Sequence, residues 1–279
     1  MRLEQKWQAL ARETNGIVHT REAYLEVTKG LFEIEHGKIL KHLEQYRLQL
    51  PSHYSDKLVC LMDIENCGLP YSSPINTVSI GSINGEFKVK TFFALDYSGE
   101  REILKRAWKI MRRADKVFSY NGKAFDMPRL LSRIKTHGLL VNGQSPIEKS
   151  LGGRHCDLYP IFKEMTREKG ITLLDRKLQT LEQVLFNTFR GNEIHGADIP
   201  KAYHDFVYTS NEESISRMAT IVNHNTLDVA SLGACLEFLR QQGKEVLKDP
   251  INEGGITLLD RKLKTLEQVL FPILYTPDK

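Results

Sequence analysis

Asp63 and Glu65 lie one residue apart where the apolar run of KLVCLMDIENCGLP, residues 57–70, gives way to a turn. Side chains on a strand alternate faces, so both carboxylates leave the same side while Ile64 returns to the interior. Like charges this close force one pKa upward unless water screens them or a cation neutralises them. An exposed strand end entering the turn at Asn66-Cys67-Gly68 meets the first condition. Half of a metal site meets the second, and it needs more acids. Asp126, in SYNGKAFDMPRL, directly follows a predicted strand and so emerges near a sheet end. Asp228, in NHNTLDVASL, has His224 four residues before it, which puts both on one helical face a turn apart. Taken singly, that pair is an ordinary surface contact.

These residues must be positioned by a mixed α/β sheet. Residues 1–14 have amphipathic helical spacing, and 15–50 form a mixed segment ended by Pro51. The pattern predicts a strand over 57–63, then two β-rich runs over 75–95 joined by Asn84-Gly85, a strong hairpin signal. A helix over 99–113, a short buried strand over 116–120 and a helix over 125–138 closed by Gly138 follow, with a further strand at 154–159. Ile215, Met218, Val222, Leu232, Cys235 or Leu236, and Leu239 recur at helical spacing and predict a buried stripe on a long C-terminal helix.

The chain has 279 residues, 41% of them hydrophobic, enough for a substantial core. Nothing in it approaches the roughly 18 consecutive apolar residues of a membrane span, and its start lacks the apolar centre of a signal peptide, so a cytoplasmic location is expected. Cys60, Cys67, Cys156 and Cys235 form no Cys-x-x-Cys pair, which argues for free thiols over zinc or disulfides. A net charge of +4 is compatible with nucleic acid without requiring it. The basic run 105–116 spreads its charges around a helix and favours a solvated surface over a phosphate-binding face. His155, His195 and His204, near Asp157 and Asp198, share no metal spacing and read as structural or exposed. No Walker-type phosphate loop is present.

GITLLDRKLQTLEQVLF, residues 170–186, returns as GITLLDRKLKTLEQVLF at 255–271, with Gln179 replaced by Lys264. Two copies cannot build a solenoid. A segmental duplication carried on a tail, able to displace the first copy or to dock on another subunit as an oligomer contact, is the expectation.

Taken in order, MDIENCGL, SYNGKAFDMPRL and HNTLDVASL resemble the three exonuclease motifs of the DEDD exonucleases, in the ribonuclease H-like (DnaQ-like) superfamily, most closely its YprB-like branch. The resemblance covers roughly residues 57–240. It implies a ribonuclease H-like five-stranded mixed sheet over 57–245; the chain pattern itself predicts an N-terminal extension over 1–56 packed on it and a helical tail over 246–279. It also implies a 3′–5′ exonuclease, DNA more than RNA, with two divalent cations, Mg²⁺ or Mn²⁺, held by Asp63, Glu65, Asp126 and Asp228, in DNA repair or nucleic-acid metabolism. A helicase partner, or a noncatalytic nucleic-acid-binding or adaptor role on the same fold, is a further implication. His224 stands where the family has its general base, or merely orients phosphate; in the His type of third motif the histidine lies five residues before the aspartate, which is Asn223 here. Asn121, Lys123 and Phe125 flank Asp126 as candidate substrate contacts, against the plainer readings of loop cap, surface lysine and core ring, the last favoured for Phe125.

Overall fold

The computed structural model describes residues 2–18, 31–47, 58–84, 86–139, 153–171, 173–190 and 194–243. Helix α1 (Leu3–Thr14) ends at Asn15, whose φ of 50° is a left-handed conformation that asparagine tolerates. Strand β1 (Gly16–Val18), β2 (Leu31–Ile34) and helix α2 (His36–Glu44) complete the N-terminal segment. Then come β3 (Val59–Asn66), β4 (Ile75–Asn84), β5 (Glu86–Phe93), α3 (Glu100–Met111), β6 (Lys116–Ser119) and α4 (Asp126–Thr136). The chain continues through β7 (His155–Asp157), α5 (Leu158–Glu168), α6 (Leu178–Phe186), α7 (Ile199–Tyr208) and the long α8 (Glu212–Gln241).

The strands form one sheet in the order β1-β2-β5-β4-β3-β6-β7. Neighbours from β1 to β3 are antiparallel, whereas β3, β6 and β7 run parallel. The predicted hairpin is β4 and β5, with Ile83 opposite Phe87; Gly85 lies outside the described residues. The five strands from β5 to β7 are the expected mixed sheet, and β1 and β2 extend it beyond β5 with Leu31 opposite Phe92. Pairing of this kind covers backbone donors and acceptors that β5 would otherwise present at an open edge.

Period-two alternation divides β3 between two cores. Val59 and Leu61 join Ile83, Phe87 and Val89 beneath α5, α6 and α8, while Cys60, Met62 and Ile64 face α3 and α4. The strand runs through both acids instead of ending at Asp63, so Asp63 and Glu65 continue the face that α8 covers. That helix lies close on the sheet: a Cβ at Gly81 would stand 2.7 Å from Val229 Cγ1, so only glycine admits the approach. The predicted stripe is buried, and from Val229 to Leu239 every side of α8 is covered, by the sheet on one flank and by helices on the other.

A buried ion cluster ties the opposite face together. Glu100, 2% exposed, accepts from Arg133 Nε at 2.7 Å, from Arg133 Nη2 at 2.5 Å and from the Ile75 backbone N–H at 2.8 Å. Burial pushes its carboxyl up, but Arg133 and then His137 bring it below the usual range. The cluster joins α3, β4 and α4, and so fixes the helix that starts at Asp126. Among the described residues no helix is long and apolar enough to cross a membrane, and the four cysteines are free thiols. The repeat at 255–271 and the tail over 246–279 lie outside the described residues.

Candidate active site

In an open α/β sheet, ligands bind at the carboxyl ends of parallel strands. The acids gather at that end of β3 and β6. After Ser119 the chain turns sharply to deliver Asp126 as the first residue of α4. The turn requires its residue types. Asn121 has φ 56°, and a Cβ at Gly122 would stand 2.1 Å from Ser119 Oγ and 2.8 Å from Asp126 Oδ2. Asp157, at the end of β7, clamps the turn from outside. Its carboxylate accepts from the backbone N–H of Asn121 at 2.7 Å, of Lys123 at 3.0 Å and of Tyr159 at 3.0 Å. Asp157 is thus structural, as is His155, whose Nε2 lies 2.8 Å from Ser119 Oγ. His195 and His204 are exposed.

Asp63 and Glu65 lie opposite Ser79 and Thr77 of β4. Asn225 of α8 reaches across to donate from Nδ2 to Asp63 Oδ2 at 2.6 Å. Below them a line of buried hydroxyls, Ser79 to Thr91 at 2.7 Å and Thr91 to Thr226 at 2.6 Å, links sheet to helix. Burial, then Asp126, Asp228 and Glu65, push the Asp63 carboxyl well above the ordinary range, against a smaller pull from Asn225. Burial, Asp228 and Asp126 do the same to Glu65. Asp126 is raised to about 7 by burial and by Asp157, although its own backbone N–H, that of Ile64 and the Arg129 guanidinium pull it down.

Asp228 has the opposite environment. Burial alone would raise it, but Arg190 and then His224 hold it below the usual range. Arg190 Nη1 donates to Asp228 Oδ1, and its Nε and Nη2 grip both oxygens of Glu182. His224 Nε2 lies 3.4 Å from Asp228 Oδ2, as the four-residue spacing predicts. Neither Arg190 nor Glu182 stands out in the sequence. The usable signal is Glu182 itself, a lone acid inside the apolar helix LQTLEQVLF that is 1% exposed and so must have a cationic partner.

The structure thus brings Asp63, Glu65, Asp126, His224 and Asp228 together, but it does not close them on an ion. Among the described residues no three His, Cys, Asp or Glu side chains are arranged to hold one metal as they stand. In this arrangement Arg190 engages Asp228 and Asn225 engages Asp63. The donor chemistry at Asp63, Glu65 and Asp126 still fits a hard divalent cation. These are oxygen ligands whose mutual repulsion no guanidinium relieves by hydrogen bonding among the contacts described, and Asn225 Oδ1 is buried beside them with no hydrogen-bond partner among the described residues.

The core position favoured for Phe125 is corrected. Its ring is 47% exposed, held outward because Arg129 lies 5.3 Å from it and equally far from the exposed ring of Tyr71. Arg129 donates to the Phe125 carbonyl at 3.0 Å and the Leu69 carbonyl at 2.9 Å, joining two loops at the rim of the acids. Lys123 is exposed and Asn121 half-buried on the same rim.

A mixed sheet with acids at the carboxyl ends of its central strands and one on a covering helix defines a ribonuclease H-like architecture. A family model, RNase_H_2 of the RNase_H superfamily, matches residues 60–239 and spans all four acids. The chain belongs to the RNase_H superfamily. It is 30% identical over 139 residues to a DNA polymerase of Methanocaldococcus jannaschii, a match covering 43% of this chain and 8% of that protein. The family B DNA polymerase from Pyrobaculum calidifontis superposes with a TM-score of 0.48 at 20% identity, covering 66% of this chain and 24% of that one. The chain therefore spans under a tenth of the first relative and about a quarter of the second.

Proposed function

We propose that the protein is a metal-dependent 3′–5′ exonuclease that hydrolyses phosphodiester bonds of nucleic acid, DNA in preference to RNA. One observation carries the proposal: three buried carboxylates, each pushed above its ordinary range, share the carboxyl end of β3 and β6, with His224 and a carboxylate held below that range, Asp228, beside them. Superfamily membership supports the hydrolytic class, and 3′–5′ polarity follows from the motif resemblance. Asp63, Glu65, Asp126 and Asp228 would hold two divalent cations between them, Glu65 and Asp228 serving one and Asp126 the other. Bound there, Mg²⁺ or Mn²⁺ would neutralise the acids and stabilise the charge that develops on a phosphoryl group.

The remaining work falls to the chain itself. With Nε2 facing Asp228 Oδ2 at 3.4 Å, the other ring nitrogen of His224, Nδ1, accepts the proton of the attacking water. Asp228, kept ionised by Arg190, orients the imidazole and stabilises it once charged. At the rim the Phe125 ring is available to stack on a terminal base, and the Lys123 ammonium to meet a phosphate. The unclosed ligand geometry favours a second reading, a noncatalytic nucleic-acid-binding module.

Digestion of 3′-end and 5′-end labelled DNA and RNA with Mg²⁺ or Mn²⁺, beside Asp63→Ala, separates the two. The exonuclease releases 3′ label as mononucleotide from the first turnovers and Asp63→Ala does not. Binding without cleavage by the unaltered protein would leave the second reading standing.

A further inference from the structure

Helix α6 is held in place by its side chains, and residues 173–177 before it and 187–190 after it are neither helix nor strand. Leu178, Leu181 and Leu185 are buried in the core that α2, α5 and α8 share. Phe186 lies edge-on to Tyr46 at 4.9 Å and to Phe238 at 5.3 Å. Glu182 pairs with Arg190, and Asp175 opens the helix by accepting from the Lys177 backbone N–H at 2.9 Å. Every one of these α6 contacts has its counterpart in the second copy of the repeat: Leu263, Leu266 and Leu270 for the buried leucines, Glu267 for the paired acid, Phe271 for the ring and Asp260 for the opening turn. The single difference, Lys264 for Gln179, falls at a half-buried position, where a lysine can lay its stem along the helix and keep its charge in water.

We propose that the seat of α6, walled by α2, α5 and α8, is a docking site for residues 255–271 of the same chain, and that α6 and its copy exchange in it. The exchange goes beyond the exonuclease reading and does not depend on it. Docking is driven by burial of the leucine face, which is identical in the two copies. The occupant must also bring an acid, because a guanidinium left buried without its counter-charge is costly. Arg190, held to α8 through Asp228 and Ser231, stays to receive Glu182 or Glu267. Reach favours the same chain. Phe238 of α8 touches the end of α6, and the described part of α8 closes at Gly243 shortly beyond. Residues 244–254 extend to about 36 Å at most, and the nine-residue α6 is about 13.5 Å long, so the copy can lie along the whole seat. A segment tethered this way also has a high effective concentration. The helix end keeps α6 the usual occupant. It closes at Asn187 with φ 50°, whereas the copy meets Pro272, whose ring fixes φ near −65° and forbids that cap.

The test is thermal unfolding of the full chain carrying Leu181→Asp, Leu266→Asp or both. A carboxylate at position 181 cannot enter the apolar seat, so α6 is expelled and the copy takes its place. Leu181→Asp should then lower Tm by no more than about 5 °C, and Leu266→Asp alone by less than about 2 °C. The two together should lower Tm by roughly 10 °C or more, or abolish folding. Because the occupant comes from the same chain, Leu181→Asp should elute from a sizing column with the unaltered protein at every concentration. Failure of Leu181→Asp to fold overturns the exchange, since the copy has not replaced α6. So does an equal Tm for Leu181→Asp with and without Leu266→Asp, or an effect of Leu266→Asp that is the same in both backgrounds. A larger species formed by Leu181→Asp alone overturns the assignment to the same chain.

Discussion

The two sides of the acid cluster use the same residue types to opposite effect. On the strand side, burial raises Asp63, Glu65 and Asp126, neighbouring acids add to the rise, and backbone groups, one amide and the Arg129 guanidinium oppose it only in part. On the helix side, Asp228 is just as enclosed yet lowered, because Arg190 and His224 supply the opposing charge. Burial does not decide whether a carboxylate is stable; the counter-charge does. The strand side is thus built at a cost in stability that a bound cation would remove, while the helix side is already balanced and can serve as a fixed anchor for His224.

The largest expected effect breaks the strand side. Asp63→Ala should lower the cleavage rate on the order of 10⁴-fold, the several kcal/mol expected when a metal ligand is lost, measured on 3′-labelled DNA under single-turnover conditions. Next, His224→Ala probes the helix side. The rate should fall about 10²–10⁴-fold with substrate binding little changed, as for loss of a general base; an unchanged turnover rate would leave it only an orienting role.

Stability sharpens the contrast by its sign. A carboxyl whose folded pKa lies above its unfolded one penalises folding only where the unfolded chain has released its proton. For Asp126 the penalty therefore grows from about pH 4 to about pH 7 and persists above. In EDTA at pH 8, Asp126→Asn should stabilise the protein by roughly 1–3 kcal/mol, and at pH 4 change it little. Asp228 has the reverse sign. Its contribution is present above the unfolded pKa and is lost as pH falls through the folded one. Asp228→Asn should destabilise at pH 8 by roughly 1–3 kcal/mol, less than for a stranded charge because Arg190 keeps Glu182. Urea titrations at the two pH values check both. The smallest effect is at the rim: Phe125→Ala should weaken binding of a single-stranded end by about 1–3 kcal/mol with no loss of stability, since its ring is largely outside the core.

The strand side was more legible in the sequence than the helix side, for a physical reason. Asp63 and Glu65 obey a period of two and Asp126 follows a strand directly, so local spacing brings them to one sheet end. His224 and Asp228 obey the helical period. Arg190 instead reaches Asp228 across 38 residues and Glu182 across eight, from a segment with no regular period. The same limit hid β1 and β2, whose short runs reveal strand pairing only when β5 offers an edge. An aromatic beside a helix start ordinarily packs inward, and only the fold brings Arg129 and Tyr71 together beside the exposed ring of Phe125.

Thermal unfolding of the full chain at pH 8, with EDTA and then with Mn²⁺ at about 100 times its Kd, tests the central claim most directly. If Asp63, Glu65 and Asp126 form an uncompensated cation site, Mn²⁺ should raise Tm by roughly 5–10 °C, and Asp63→Asn should abolish most of that rise. A Tm indifferent to Mn²⁺, or a rise that survives in Asp63→Asn, would contradict it.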